Sequence, residues 1–259
     1  MKKYVLVLSL VLAACAQQPT ESGNANNNAG TSGPDSDIQQ RARAFTDLAG
    51  AYFQRAQYKI ALDELRKAII ADPRFGPAYN VYGLVYMELA EDKLAEENFR
   101  RAIELDRRDS EAHNNYGWFL CTRGRYDEGL AQFATAIQNP LYASPEQAMA
   151  NAGMCAEKKG DVVLAEANLT RALKLQPDNP KALIKLAGLN YRKGKYNETQ
   201  RLLSRHSEVA PPTAESLWLS VRLERKLGDR AQEAAYGLQL RKRFPDSEET
   251  RSLLAGQYE

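Results

Sequence analysis

The chain has 259 residues, of which 44% are hydrophobic and 26% charged, a composition typical of a globular rather than a disordered protein. Its formal net charge is +2, and without the two N-terminal lysines 33 basic residues face 33 acidic ones. A chain without excess positive charge lacks the basic surface that nucleic acids require, so we expect no nucleic-acid partner.

The N-terminus is predicted to be a lipoprotein signal peptide, residues 1–14. Lys2 and Lys3 precede an apolar run that is too short to cross a bilayer as a helix but suits a secretory signal. The run ends in LAAC, residues 12–15, which resembles a bacterial lipobox, whose cysteine is acylated after cleavage. The alternative is an ordinary signal peptide with a chance cysteine at position 15.

The next segment, residues 15–37, is predicted to be the lipidated Cys15 followed by a flexible linker. The linker is rich in Asn, Gly, Ser, Thr, Gln and Pro, which makes it too polar to pack against a core. Ala16 stands where aspartate would be expected in a lipoprotein retained at the inner membrane, so the sequence resembles lipoproteins sorted to the outer membrane. Several acyl chains on one cysteine would anchor the chain firmly. We therefore expect an outer-membrane, lipid-anchored protein.

Prolines indicate the register of a repeat in the remainder of the chain, residues 38–259. Pro177, Pro211 and Pro245 lie 34 residues apart, and Pro73 lies three such periods plus two residues before Pro177. This is the period of the tetratricopeptide repeat, a helix–turn–helix unit that stacks to bury its apolar faces. Placing the proline at position 32 gives six units: 42–75, 76–109, 110–143, 146–179, 180–213 and 214–247. The predicted fold is all-α, a right-handed superhelix of six tetratricopeptide repeats with a short C-terminal helix.

The residue pattern inside the units supports this register. Small and large residues recur where paired helices must approach and interlock, and four units carry glycine at the turn between their helices: Gly124, Gly160, Gly194 and Gly228. Three units depart from the pattern at the small position of the second helix, where alanine is usual: Gly129, Thr199 and Glu233. The sixth unit matches the repeat least well.

The sequence has no pattern typical of catalysis or metal binding. The two histidines, His113 and His206, have no partner at metal-ligand or nucleophile spacing, and His113 occupies a normal packing position. The glycines are explained by turns and close packing rather than by a phosphate-binding loop. We predict that the protein is not an enzyme and has no cofactor, metal or small-molecule substrate. A periplasmic hydrolase with an unrecognised site is the competing interpretation.

The predicted binding site is the concave surface, lined by the first helix of each unit. Carboxamides, large apolar side chains and lysines occupy its positions: Phe53, Asn80, Leu84, Met87, Asn114, Asn115, Trp118, Asn151, Met154, Lys181, Lys185, Tyr191 and Trp218. Asparagine can bridge the donors and acceptors of a peptide main chain, and aromatic and methionine side chains supply adaptable apolar area. The alternatives are a solvated or capping role for any single asparagine and inter-repeat packing for Trp118.

Part of this set matches the carboxylate clamp of chaperone adaptors that share the repeat. Asn151, Lys181 and Lys185 agree with the second and third units of that clamp in type and position. Its first unit requires lysine and asparagine where this chain has Asn114 and Trp118. This departure argues against a receptor for chaperone C-termini.

Two cysteines remain once Cys15 is lipidated. Cys121 and Cys155 lie in the first helices of adjacent units, which pack side by side. An oxidising periplasm favours pairing, provided that the two Cα atoms lie within about 7 Å. We predict a disulfide, and two buried free thiols are the alternative.

Longer segments resemble a known family. The blocks NNYGWFLCTRGRYDEGLAQF, NPLYASPEQAMANAGMCAEKKGD and LWLSVRLERKLGDR…LRKRFPDS are similar to the type IV pilus biogenesis/stability lipoproteins, the PilF/PilW family of secretin pilotins. The similarity runs from about residue 38 to 255, and these blocks are more specific than the generic repeat.

The resemblance implies a function. Such pilotins are lipoproteins on the periplasmic face of the outer membrane that help the pilus secretin subunit reach that membrane and form its multimeric channel. The expected partners are therefore the secretin subunit and, through the lipid anchor, the outer membrane. A general scaffold lipoprotein for outer-membrane protein assembly is the alternative, and the convex face competes with the groove for the partner.

Overall fold

The computed structural model describes residues 34–258, and side chains from residue 37 onward. The predicted signal peptide, Cys15 and most of the predicted linker lie outside the described residues. Within them the chain forms 13 α-helices and no strand, which confirms the predicted all-α class. The helices are α1 Pro34–Gln54, α2 Tyr58–Ala71, α3 Gly76–Glu88, α4 Asp92–Leu105, α5 Ser110–Thr122, α6 Tyr126–Gln138, α7 Pro145–Lys159, α8 Val162–Leu175, α9 Pro180–Arg192, α10 Tyr196–Val209, α11 Ala214–Leu227, α12 Arg230–Arg243 and α13 Glu248–Leu254.

The first twelve helices pair into six antiparallel units that stack in chain order. Each odd-numbered helix packs on its own partner, on the second helix of the preceding unit and on the odd-numbered helix of the next unit. Within the described chain the first helices of successive units come within 8 Å between Cα atoms, and the second helices of successive units do not. Because the first helices lie closer together, they form the inner, concave layer and the second helices form the outer layer.

Helix α1 begins earlier than the sequence analysis predicted. It starts at Pro34, within the predicted linker and ahead of the first unit at residue 42. Proline is well suited to the first turn of a helix, where its missing N–H has no intrahelical partner. Polar composition therefore concealed a helix start.

The core lies between the two helices of each unit and between neighbouring units. Its largest fully buried side chains include Phe99, Phe119 and Phe133. The unusual Gly129 has a packing reason, because a Cβ atom at this position would lie 2.7 Å from the carbonyl oxygen of Gly117. Helices α5 and α6 therefore approach more closely than an alanine would allow.

The turns within the units have a left-handed residue in every unit. The glycines predicted at these turns have positive φ angles of 76°, 89°, 71° and 83° at Gly124, Gly160, Gly194 and Gly228. In the first two units the same position is alanine, with φ of 55° at Ala56 and 59° at Ala90. An L-residue in this region is strained by about 1 kcal/mol relative to glycine.

We expect Ala90→Gly to raise the free energy of unfolding by about 0.5 kcal/mol, since relief of strain outweighs the greater flexibility of glycine in the unfolded chain. Gly124→Ala is the reciprocal control and should lower the free energy of unfolding by about 1 kcal/mol. A Cβ atom at Gly124 would have no neighbour within 4 Å, so the effect is conformational alone. Urea unfolding followed by circular dichroism measures both, and changes of the same sign would contradict the strain.

Candidate functional site

A groove in the described chain runs along the inner layer from the third unit to the sixth. It has a volume of about 740 Å³ and is formed by side chains of α5, α7, α9 and α11, closed at one end by the connection from α10 to α11. Its lining residues are Glu111, Asn114, Asn115, Trp118, Gln147, Asn151, Met154, Pro180, Lys181, Ile184, Lys185, His206, Ala210, Pro211, Thr213, Ala214 and Glu215. Seven of the thirteen predicted binding residues are among them.

Four asparagines form a hydrogen-bonded ladder across three units. Asn151 donates to the side-chain oxygen of Asn114 at 3.0 Å, and Asn114 donates to Asn115 at 3.4 Å. Asn115 in turn donates to Asn80 at 3.2 Å. Asn80 and Asn114 are buried, so the ladder holds α3, α5 and α7 in register and leaves Asn115 and Asn151 as its half-buried members on the groove side.

The apolar wall of the groove packs against a disulfide. Cys121 of α5 and Cys155 of α7 are joined, with their Cα atoms 5.7 Å apart. Both cysteines are buried in a cluster against which Trp118 packs. Trp118 and Met154 are half-buried and both line the groove. Trp118 therefore packs between repeats on one side and lines the groove on the other, and its contact with a bound partner stays a prediction.

The two lysines of the groove differ in whether they have an acidic partner. Lys185 of α9 pairs with Glu215 of α11 at 2.6 Å, whereas Lys181 forms no ion pair with any residue that the structure describes. Glu111 accepts a hydrogen bond from the Tyr142 hydroxyl at 3.1 Å, and burial together with Glu111 raises the pKa of that hydroxyl. Burial lowers the pKa of His206, and the nearby Glu215 carboxylate offsets this lowering only in part. His206 therefore contributes a neutral imidazole to this wall of the groove at neutral pH.

The predicted contacts on the first two units lie outside this groove. Phe53 packs on Tyr58, with ring centroids 6.1 Å apart, within the core of the first unit. Leu84 and Met87 pack against the aromatic cluster between the second and third units. Asn80 is the buried end of the ladder. The concave positions of these units mainly join repeats, because large side chains there reach the neighbouring helix.

The two predicted contacts at the C-terminal end are covered by the chain itself. Tyr191 is buried beneath the Arg222 guanidinium, 4.7 Å from its ring centroid. Trp218 stacks on Tyr258 at 5.5 Å, and Arg222 donates to the Tyr258 carbonyl oxygen at 2.9 Å. The segment after α13 thus returns to α11. Arg222 covers Tyr191 and Tyr258 covers Trp218, so neither aromatic side chain lines the groove.

Sequence reasoning missed two groups of groove residues. Glu111, Gln147 and Glu215 occupy position 2 of their units, as the predicted contact Lys181 does, so the register alone could have identified them. His206, Ala210, Pro211 and Thr213 belong to a second helix and a connection, for which the register gives no signal. They enter the groove because α10 ends beside the start of α11.

The arrangement suits the binding of a peptide. An amide has two N–H donors and an oxygen with two lone pairs, so members of the ladder retain hydrogen-bonding capacity for a peptide main chain. Trp118, Met154 and Ile184 offer apolar area beside it. Within the described residues there is no cluster of three or more metal-ligating side chains and no helix long and apolar enough to cross a membrane.

Comparisons with known proteins agree with the fold and extend it. Tetratricopeptide-repeat family models match residues 76–109, 98–131, 122–180 and 156–220. The type IV pilus assembly protein PilF of Pseudomonas aeruginosa is 29% identical over 204 residues, covering 79% of this chain and 81% of that protein.

Two solved structures resemble the chain over most of its length. The structure of Pseudomonas aeruginosa PilF superposes with a TM-score of 0.78 at 29% identity, covering 85% of this chain and 99% of that one. The crystal structure of PilW, described as a widely conserved type IV pilus biogenesis factor, gives a TM-score of 0.74 at 34% identity, with 83% and 99% covered. The chain therefore belongs to the PilF/PilW family of tetratricopeptide-repeat proteins of type IV pilus biogenesis.

Proposed function

We propose that the protein is an outer-membrane lipoprotein pilotin that binds the secretin subunit of the type IV pilus and promotes its localisation and assembly into multimers. Membership of a family of pilus biogenesis proteins supports the pathway. The observation that carries the binding role is the groove of the third to sixth units, in which a carboxamide ladder lies beside the apolar surface of Trp118 and Met154.

The ladder favours an extended segment of the secretin. Each amide bonded at one N–H and one oxygen lone pair keeps a second of each, and a half-buried amide presents these at fixed positions. Main-chain N–H and C=O groups of an extended peptide are their natural partners. Since the asparagines are already held in place by one another, little side-chain freedom is lost when the peptide binds.

The rest of the groove defines the chemistry of that segment. Trp118 is held by the disulfide cluster behind it and by the Lys158 ammonium 5.6 Å from its ring centroid, so it offers a rigid surface for an apolar or aromatic side chain. Lys181 has no acidic partner among the described residues. An apolar residue followed by an acidic residue or a terminal carboxylate therefore fits the groove best.

The lipid anchor supplies the second half of the mechanism. Acylation of Cys15, which lies outside the described residues, would confine the protein and its bound client to the inner surface of the outer membrane. Confinement raises the effective concentration of secretin subunits for each other, so multimers form there without a new contact between them.

The test is the fate of the secretin in a strain that lacks the gene. We expect secretin multimers to disappear from the outer membrane while other outer-membrane proteins remain at normal levels. Complementation with the wild type should restore the multimers, and complementation with Cys15→Ala should leave the protein out of the outer-membrane fraction. Normal secretin multimers in the deletion strain would overturn the pilotin role, and a general loss of outer-membrane proteins would indicate the scaffold alternative.

A further inference from the structure

A second cavity lies between the fifth and sixth units. It has a volume of about 320 Å³ and is enclosed by α10, α11 and α12. Its mouth carries exposed polar side chains of the outer helices, among them Gln200 and Ser204 of α10 and Gln239 of α12. Because α10 and α12 belong to the outer layer, the cavity opens away from the groove proposed for the secretin.

The floor of the cavity carries a buried carboxylate without a partner. Glu224 of α11 is 8% exposed, lines the cavity, and forms neither an ion pair nor a side-chain hydrogen bond with any residue that the structure describes. The neighbouring Arg225 pairs instead with Glu233, at 2.9 Å. An unpaired buried charge is destabilising, which makes such a group a candidate for recognition rather than for stability.

A second buried carboxylate shows the difference. Glu64 is also 8% exposed, but one of its oxygens accepts a hydrogen bond from the Lys67 ammonium at 2.7 Å. It lies in α2, far along the chain from this cavity. The two residues are equally buried. Of the two, only Glu224 faces an open cavity and has no cationic partner among the described residues.

The other polar groups of the floor accept hydrogen bonds. Ser220 donates its hydroxyl hydrogen to the Ser216 carbonyl oxygen at 2.9 Å, and Ser216 donates to the Thr213 carbonyl oxygen at 3.1 Å. Ser216 also accepts a hydrogen bond from the Thr213 main-chain N–H at 2.9 Å, so Ser220 keeps two lone pairs and Ser216 keeps one. His206, buried at 3% exposure, also lines it and has no side-chain hydrogen bond to a described residue. Burial lowers its pKa, so its neutral ring also has an acceptor nitrogen.

We infer that this cavity binds an organic cation, an alkylammonium or guanidinium group, with Glu224 as the counter-ion. Both groups are hydrogen-bond donors without acceptors and match a floor of acceptors, and a volume of this size accommodates one lysine or arginine side chain. The group can come from a lysine or arginine of a partner protein that docks on the outer layer, or from a free amine. The cavity shares His206 with the proposed secretin groove and none of that groove's other lining residues.

The test is titration of the purified full-length protein with n-butylammonium and with propylguanidinium at constant ionic strength, followed by NMR. We expect saturable shifts of the α11 amide resonances and a loss of affinity of about thirtyfold or more in Glu224→Gln, which removes the charge but keeps the shape. Glu64→Gln, at the equally buried but paired carboxylate, should bind as the wild type does. The inference would be overturned if neither cation bound to the wild type, or if Glu224→Gln bound the cations as tightly as the wild type does.

Two further arms separate the sources of the cation and the two sites. A blocked Ala-Lys-Ala peptide that binds more tightly than n-butylammonium would support a partner side chain, and the reverse would support a free amine. Trp118→Ala should leave both titrations unchanged while affecting the secretin groove. If Trp118→Ala abolished cation binding, the cavity would not be a separate site and the inference would fail.

Discussion

Loss of the Cys121–Cys155 disulfide is expected to lower the free energy of unfolding by about 4 kcal/mol, from the loop-closure entropy of a 34-residue separation. Both cysteines are buried in one cluster with Phe133 and Ala152, and they join the first helices of adjacent units. The bridge therefore restricts the unfolded chain and, in the folded state, holds the helices that carry Trp118 and Asn151.

The measurement is urea unfolding of the wild type with and without dithiothreitol, beside the double variant Cys121→Ala/Cys155→Ala. The double variant should unfold at a lower urea concentration than the oxidised wild type and should be insensitive to reductant. If dithiothreitol also destabilised the double variant, the effect of the reductant would have a cause other than this disulfide. An oxidised wild type whose midpoint does not move on reduction would contradict the expected stabilisation.

Combined Trp118→Ala and Asn151→Ala substitution is expected to weaken binding of the secretin periplasmic region by about thirtyfold or more. Truncation of an aromatic hot spot costs at least about 2 kcal/mol, and loss of Asn151 removes the half-buried end of the ladder at the groove. Titration calorimetry with purified secretin fragments measures the affinity, and circular dichroism establishes that the variant remains helical.

The chain offers a matched control for this variant. Trp218 is a half-buried tryptophan of the inner layer that lies outside the groove and stacks on Tyr258. Trp218→Ala should leave secretin affinity within about twofold of the wild type. Equal losses for Trp118→Ala and Trp218→Ala would indicate a global effect on the superhelix. Undiminished binding by the groove variant would move the interface to another surface.

The repeat could be predicted from the sequence because its determinants are local. Helix pairs, turn residues and small positions are set by neighbours within 34 residues, so the spacing of Pro177, Pro211 and Pro245, together with Pro73 and its two-residue offset, was sufficient to place the units. The same register places Ala56 and Ala90 at left-handed turns, which the glycines of the later units show directly. The predicted end of the linker was too late, because the start of α1 is polar and composition does not distinguish a polar helix from a flexible linker.

The site was only partly predictable, because the register says which way a side chain points and not what it meets. Asn80 and Asn114 occupy equivalent concave positions and are both buried, but only Asn114 lines the groove. Tyr258, in a segment without repeat signal, covers Trp218. These outcomes depend on contacts between residues more than 30 positions apart, which a single sequence does not encode as a readable pattern.

Local spacing thus settled the fold class, the six units and the candidate residues of the inner face. Superhelical stacking decided which of those residues converge on one groove, brought His206 and the α10–α11 connection into its wall, and left Glu224 unpaired beneath a second cavity. The physical reason is that turns and helix faces arise from neighbouring residues, whereas burial and pairing arise only when successive units pack.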